Sequence, residues 1–349
     1  MRAMLLRETT DVAMNPSPGG DLRQPLIAAD LPRPDPGPGQ ALIRVSACGV
    51  CHTELDEIEG RMPPPVLPVV PGHQVVGRVE RLGSGVAGML VGDRVGVAWI
   101  FSACGRCRYC RNGQENLCPE FKATGRDVHG GYAEYMVAPA TFVHPIPEGF
   151  ADAEAAPLLC AGAIGYRSLR LAGPPETGTL GLTGFGASAH LVLKLARFRY
   201  PELKVFVFAR SEQERAFARE LGADWAGDTT EAALAPLDAI IDTTPAWLPV
   251  VEALRNLAPG GRLVINAIRK ENADKERLLQ LDYPAHLWLE KEIKSVANVT
   301  RQDVAEFLQI AGAIPIRPEI ELYPLEEANR ALSELKARRI RGAKVLVMD

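Results

Sequence analysis

Four cysteines within fifteen residues constrain this chain more than any other feature. Cys104, Cys107, Cys110 and Cys118 lie in CGRCRYCRNGQENLC, a C-x2-C-x2-C-x7-C array. Thiolates that close in sequence surround one ion only where the backbone folds into a small knuckle. Zn2+ accepts four sulfurs in a tetrahedron at about 2.3 Å, and a site with four protein ligands has no open position, so such an ion would be structural. An iron–sulfur cluster uses similar spacings, and disulfides are the other option. Disulfides are the weaker option in a chain that reads as intracellular, where seven cysteines stay reduced.

Size and charge narrow the partners. A length of 349 residues usually means two domains. Net charge is −4, and no basic block invites nucleic acid or an anionic membrane. No apolar run approaches the ~20 residues of a membrane span. The start, MRAMLLRETT, has too short an apolar stretch for a signal peptide. The expectation is a soluble, cytoplasmic protein that acts on a small molecule, with no nucleic acid and no membrane as partner.

The chain changes character near residue 151. Before it, LPRPDPGPGQ and RMPPPVLPVVPGH (61–73) are too rich in proline for regular helix or central strand. ALIRVSACGV (41–50), VVGRVERLGSGV (75–86) and GDRVGVAWI (92–100) read as strands. This half is expected to be irregular and mostly β. After it, ADAEAAPLLCAGAIGYRSLR (151–170) reads as one helix. Apolar strands at 179–183, 204–210, 237–244 and 261–268 then alternate with helical segments. That alternation predicts a parallel sheet covered on both faces and doubly wound. The tail, 324–348, reads as one amphipathic helix and a closing strand.

GFGASA (184–189) falls on a strand-to-helix turn of that second half. Gly184 permits the tight turn, Gly186 lets backbone approach a pyrophosphate, and Ala189 stands where the third glycine often does. Ala187 and Ser188 open the helix, whose first N–H groups and dipole favour an anion. The pattern predicts a dinucleotide site. At the end of the next strand an acid normally binds the ribose 2′-OH of NAD. Here that end reads Ala209, Arg210, Ser211. The missing acid and the Arg210 cation favour the 2′-phosphate of NADP, with Ser211 as a further donor.

Several separated motifs also carry a resemblance. GVCHTE (49–54), PGHQVVG (71–77), the cysteine array, GGYAEY (130–135), CAGAIGY (160–166) and GFGASAH (184–190) follow one another along the chain. In kind and order the set resembles the zinc-dependent medium-chain alcohol dehydrogenases, and it covers essentially the whole chain. The resemblance implies a catalytic zinc on Cys51, His73 and Cys160, besides a structural zinc on the knuckle, so two Zn2+ per chain. It implies Thr53 as the start of a proton relay, with His52 facing the relay or the pyrophosphate. Glu54 matches a carboxylate that orients a zinc-bound histidine, although the family usually has Asp there. Gln74 replaces the family's common Glu and leaves the ion's surroundings more positive. Trp99 and Ile100 match positions lining a substrate pocket, and Cys48 and His129 receive no ligand role.

The implied layout is a GroES-like catalytic domain over 1–160 and 297–349 around a Rossmann dinucleotide-binding domain over 161–296. The implied activity is hydride transfer between a primary or secondary alcohol and NAD(P)+, giving an aldehyde or ketone, in a homo-oligomer, dimer or tetramer. Within the superfamily the alternatives are an aldehyde-specific reductase or a polyol dehydrogenase. Cys160 argues against the polyol enzymes, which often replace that ligand with a carboxylate. The alternative from another class is a catalytically silent nucleotide-binding relative, which would tend to lose the zinc ligands present here.

Overall fold

Turn residues and prolines keep the elements of the first 150 residues short, and hydrophobic alternation pairs them into sheets. A computed structural model describes residues 1–13, 24–314, 316–337 and 342–348. The chain divides into two compact units, Met1–Cys160 with Val299–Asp349, and Ala161–Asn298. No helix among the described residues is long and apolar enough to cross a membrane.

In the first unit, β1 (Arg2–Leu6) pairs antiparallel with β2 (Leu26–Asp30). β3 (Gln40–Val50) is its longest strand and runs straight into α1 (His52–Ile58). β4 (Val75–Leu82), β5 (Arg94–Val97) and β6 (Ile100–Ser102) follow. α2 (Arg108–Arg111) lies inside the cysteine array, and β7 (Lys122–Ala123) pairs with β6. β8 (Tyr135–Pro139), β9 (Val143–Pro145) and α3 (Asp152–Ala155) complete the amino-terminal part.

The expected single helix over 151–170 is broken. α3 passes into a 3-10 turn at Ala156–Leu159, and Cys160 then takes φ −127°, ψ −77°, outside the helix. Pro157 removes one helical N–H there, so the ladder cannot run through. The break leaves Cys160 at the junction of the two units in sequence.

The second unit begins with α4 (Ala161–Ala172). It continues as β10 (Thr179–Thr183), α5 (Ala187–Arg199), β11 (Lys204–Phe208), α6 (Glu212–Glu220) and β12 (Trp225–Gly227). β13 (Leu237–Asp242), α7 (Leu248–Asn256), β14 (Leu257–Ile265), α8 (Tyr283–His286) and β15 (Glu292–Ser295) close it. All six strands are parallel, in the order β12-β11-β10-β13-β14-β15. This is the doubly wound order, with its reversal between β10 and β13, where ligands bind such sheets. Strands β10, β11 and β13 are buried nearly throughout, as helices on both faces require.

The chain then returns to the first unit through α9 (Arg301–Ala313), β16 (Ile320–Pro324), α10 (Ala328–Lys336) and β17 (Ala343–Val347). Thr300 caps α9 by accepting from the Asp303 N–H at 3.1 Å, and Asp303 accepts the Thr300 N–H at 2.9 Å. β17 inserts between β16 and β3, with Lys344 opposite Val50 and Leu346 opposite Cys48. The resulting sheet runs β16-β17-β3-β4-β5-β9, with β8 also on β3. Lys344 is fully buried; its Nζ donates to Glu321 at 2.7 Å, the Tyr323 hydroxyl at 2.5 Å and Glu334 at 2.9 Å. Those three acceptors match the three ammonium donors. Part of the tail read as helix, residues 338–341, lies outside the described residues.

Candidate functional site

Cys51 occupies the single residue between β3 and α1. Its backbone is extended and its N–H donates to Glu54 Oε2 at 2.8 Å, so the helix is capped by its own third residue. His73 follows Gly72, which holds φ +98°. A Cβ on Gly72 would come within 2.3 Å of the Tyr132 ring, so only glycine lets the loop present His73 here. Cys160 arrives from the break after the 3-10 turn. All three belong to the first unit. Their ligand atoms lie within 4.8 Å of one another, with His73 Nε2 at 3.2 Å from Cys160 Sγ.

The other face of the imidazole is held. Glu54 Oε1 stands 2.5 Å from His73 Nδ1, and both side chains are buried. The extra methylene of Glu over Asp therefore still reaches the ring. Such an outer carboxylate fixes the tautomer and points the free nitrogen at an ion. The thiols share the same electrostatic setting. The hydrogen bond with Cys160 pulls the Cys51 thiol well below its ordinary value, against burial, and His73 adds to the effect. The same hydrogen bond and burial push Cys160 up. Burial disfavours the His73 cation, but Glu54 and Cys51 outweigh it and hold the ring above its usual value. Two sulfurs and one nitrogen at these separations fit a tetrahedral Zn2+, whose ligand atoms stand about 3.5–3.8 Å apart. One tetrahedral position is left for a further ligand.

Around this set, Thr53 is buried, with Oγ1 3.6 Å from Cys51 Sγ. His52, one residue earlier, is exposed. Gln74 is buried and its side chain covers Gly49, where a Cβ would sit 2.6 Å from Oε1. The Trp99 and His73 rings meet edge to face, with centroids 4.9 Å apart and planes at 82°. Ile100, expected beside it on a pocket wall, is fully buried at the start of β6 and offers no surface. Cys48 is fully buried against Gly72 and Gly131 and stands outside the ligand set, while His129 Nδ1 accepts the Val70 N–H at 3.1 Å. Motif reading passed over Glu57 and Tyr132, both buried close enough to feel the Glu54 charge. Glu57 continues the α1 turn that carries Glu54, and that periodicity is the one signal that could have found it.

The knuckle is a second convergence. The sulfurs of Cys104, Cys107, Cys110 and Cys118 lie within 4.8 Å of one another. Cys107–Cys110 and Cys104–Cys110 are 3.6 and 3.9 Å apart, close to the spacing of a tetrahedral zinc tetrathiolate. Backbone N–H groups of Cys107, Cys104 and Glu120 donate to the sulfurs of Cys104 and Cys118 at 3.3–3.4 Å. All seven cysteines are free thiols. Glu115, inside the array, accepts both the Arg301 backbone N–H at 2.7 Å and its guanidinium at 2.8 Å. The knuckle is thereby tied to the first residue of α9.

In the second unit, GFGASA forms the turn from β10 into α5, with Gly184 at φ +76°. No atom lies within 4 Å of a Cβ built on Gly186, so the backbone there is open to a ligand. Ala187 opens the helix. The Ser188 hydroxyl is already committed, donating to Ala161 O at 3.0 Å, so this residue can offer a phosphate only its N–H. Arg210 is exposed just past β11, and Ser211 caps α6 by accepting the Glu214 N–H at 3.2 Å. An acid missed by motif reading stands beside this strand end: Asp228 follows β12, and Arg215 reaches it at 3.4 Å while bonding the carbonyls of Ala209 and Arg210.

Comparison with known proteins agrees with this geometry. Residues 37–148 match the family model described as alcohol dehydrogenase GroES-like domain. The chain is 43% identical over 320 residues to "Probable alcohol dehydrogenase AdhA" of Mycobacterium tuberculosis, covering 90% of each chain. It is 34% identical to an alcohol dehydrogenase of Geobacillus stearothermophilus, covering 93% of this chain and 96% of that one. Among solved structures, a cinnamyl alcohol dehydrogenase of Sorghum bicolor superposes with TM-score 0.84 at 28% identity, covering 99% and 97%. An NAD-dependent alcohol dehydrogenase superposes with TM-score 0.85 at 25% identity over the whole of both chains. By these matches the chain belongs to the zinc-dependent medium-chain alcohol dehydrogenase family, whose members are NAD(P)-dependent enzymes.

Proposed function

We propose that the protein transfers a hydride between a primary or secondary alcohol and NAD(P)+, giving an aldehyde or ketone. The observation that carries this reading is the convergence of Cys51, His73 and Cys160 in a chain of this family. Bound to them, Zn2+ supplies a Lewis acid that polarises the substrate oxygen. The chain's own residues hold and move the proton. Glu54 keeps Nδ1 of His73 occupied, so that Nε2 serves as the ligand. Thr53 Oγ1, both donor and acceptor, would accept the alcohol proton as it releases its own toward solvent, where the exposed His52 stands as the next acceptor. Trp99 packs against the imidazole and shapes the substrate side. A second zinc, on Cys104, Cys107, Cys110 and Cys118, is structural. The first unit thus carries both ions, and the second takes the dinucleotide at Gly184, Gly186, Ala187 and Ser188. Seven reduced cysteines suit a cytoplasmic setting.

The test is a matrix of NAD+ and NADP+ against simple alcohols and polyols, run on zinc-loaded protein. Turnover of simple alcohols is expected. Cofactor and zinc binding without turnover of any alcohol would leave a catalytically silent relative.

We further propose NADP(H) as the preferred coenzyme. Arg210 is exposed just past β11, and Asp228 is occupied by Thr230 and Arg215. One charge-assisted contact corresponds to about 10- to 150-fold in binding. Arg210→Ala is expected to raise KM for NADP+ by about tenfold or more and to leave NAD+ within about twofold. Equal changes for the two coenzymes would show that Arg210 does not read the phosphate.

A homo-oligomer, dimer or tetramer, is proposed on β15. All four residues of this edge strand are exposed, and Tyr283, Trp288 and Leu289 beside it expose 60%, 55% and 51% of their surface. An open strand edge flanked by apolar surface favours pairing with a second copy. Ile293→Lys is expected to yield monomers in sedimentation; an unchanged mass would exclude this edge as the interface.

A further inference from the structure

The carboxyl ends of β10, β13 and β14 are joined by a lysine that hydride transfer itself does not require. Lys270 is partly buried as a residue, with its side chain only 8% exposed, and it forms an ion pair with the fully buried Asp242. Its Nζ donates also to Thr244 O at 2.7 Å and Ala246 O at 3.0 Å. Three donors meet three acceptors, which is the condition for holding an ammonium away from water. The second oxygen of Asp242 accepts from Thr183 Oγ1 at 2.6 Å and from Thr244 Oγ1 at 2.8 Å.

Thr183 is the last residue of β10 and immediately precedes Gly184. Its carbonyl accepts both the Thr243 N–H and the Thr243 hydroxyl at 3.0 Å. A Cβ on Gly184 would meet Thr244 Cγ2 at 2.9 Å and Thr243 Oγ1 at 3.0 Å. The Thr243 and Thr244 side chains therefore pack directly on the glycine turn. Just past β14, Asn266 donates its N–H to Asp242 O at 2.7 Å and its Nδ2 to Ser188 Oγ at 3.3 Å. The lysine thus sits behind the turn and grips the neighbouring loop by its side chain and by two main-chain carbonyls.

We propose that Lys270 is a positioning residue for the dinucleotide turn. Through Asp242 and Thr183 it sets Gly184, and through the Thr244 and Ala246 carbonyls it sets the loop that packs on it. The proposal rests on the assignment of GFGASA as the coenzyme site. The simpler alternative is that the lysine only neutralises a buried aspartate. The two differ in what happens when the aspartate charge is removed as well.

Lys270→Met keeps the length of the side chain and removes its donors. Lys270→Met combined with Asp242→Asn also removes the stranded carboxylate while keeping an acceptor for Thr183. Dissociation constants for NADH and NADPH are measured by fluorescence titration below the melting temperature of each protein. Lys270→Met is expected to weaken both coenzymes alike, by about tenfold, the size of one poorly made charge-assisted hydrogen bond. The alcohol KM at saturating coenzyme should stay within about twofold, since the substitution disturbs the coenzyme turn and leaves the alcohol side of the site as it was. In the double variant the melting temperature should recover while the dissociation constants remain raised, because the loop carbonyls are still not held. Wild-type dissociation constants in the double variant, or no change in Lys270→Met, would overturn the proposal. A wild-type protein that binds neither NADH nor NADPH would remove the coenzyme assignment itself, and the proposal with it.

Discussion

Cys51→Ser is expected to lower kcat/KM by roughly a thousandfold or more and to leave the fold in place. A Lewis acid at the reacting oxygen is worth several kcal/mol, and each 1.4 kcal/mol is tenfold in rate. The variant should lose one of two zinc ions by metal analysis. Its melting temperature should move little, because α1 keeps its cap: the donor to Glu54 is the backbone N–H of residue 51, which serine retains. The packing of Leu55 and Ile58, both buried, is untouched. One zinc per wild-type chain, or full activity in the variant, would overturn the assignment of Cys51 to a catalytic ion.

Cys107→Ser has the opposite signature. Binding of a structural ion is folding free energy, and loss of one of four thiolates withdraws several kcal/mol of it. A fall of about 10 °C in melting temperature is expected for a chain of this size. The damage should spread to α9, since Glu115 within the knuckle holds both the backbone and the guanidinium of Arg301. Molecules that remain folded should keep most of their kcat, because the proposed catalytic ligands, Cys51, His73 and Cys160, come from other segments. A variant that keeps its melting temperature and loses kcat would exchange the roles of the two cysteine clusters.

Local chemistry was readable where a motif demands one residue type at one place. The strand–glycine turn–helix at 179–199 stands out because a buried strand, a left-handed Gly184 and an open Gly186 all leave marks in the sequence. The alternation of strands and helices after residue 178 was legible for the same reason: β10, β11 and β13 are apolar on both faces. β12 and β15 were not legible. WAG is too short to show a period, and EIKS is an exposed edge with no buried face. The break at Cys160 was missed because alanine-rich sequence on both sides outweighed the single Pro157. Ile100 resembles a pocket residue by position, yet it is fully buried. The Lys270–Asp242 network left no local trace, since its partners are 28 residues apart on different strand ends and meet only through the sheet.

The insertion of β17 between β16 and β3 sets an order of events during synthesis. Strand β3 emerges early, but its neighbour across Lys344↔Val50 and Leu346↔Cys48 is the last strand described. The sheet of the first unit therefore stays open, with Cys51 and His73 already made, until β17 has been made. The second unit is continuous, Ala161–Asn298, and needs no later segment to complete its six strands. The nascent chain thus holds a finished nucleotide fold between two halves of an unfinished one. Closing the long loop costs little more than closing a short one, because the entropy grows only with the logarithm of its length. What the arrangement costs is time: early thiols and an unpaired strand wait for β17, exposed to oxidation, stray metal and neighbouring chains.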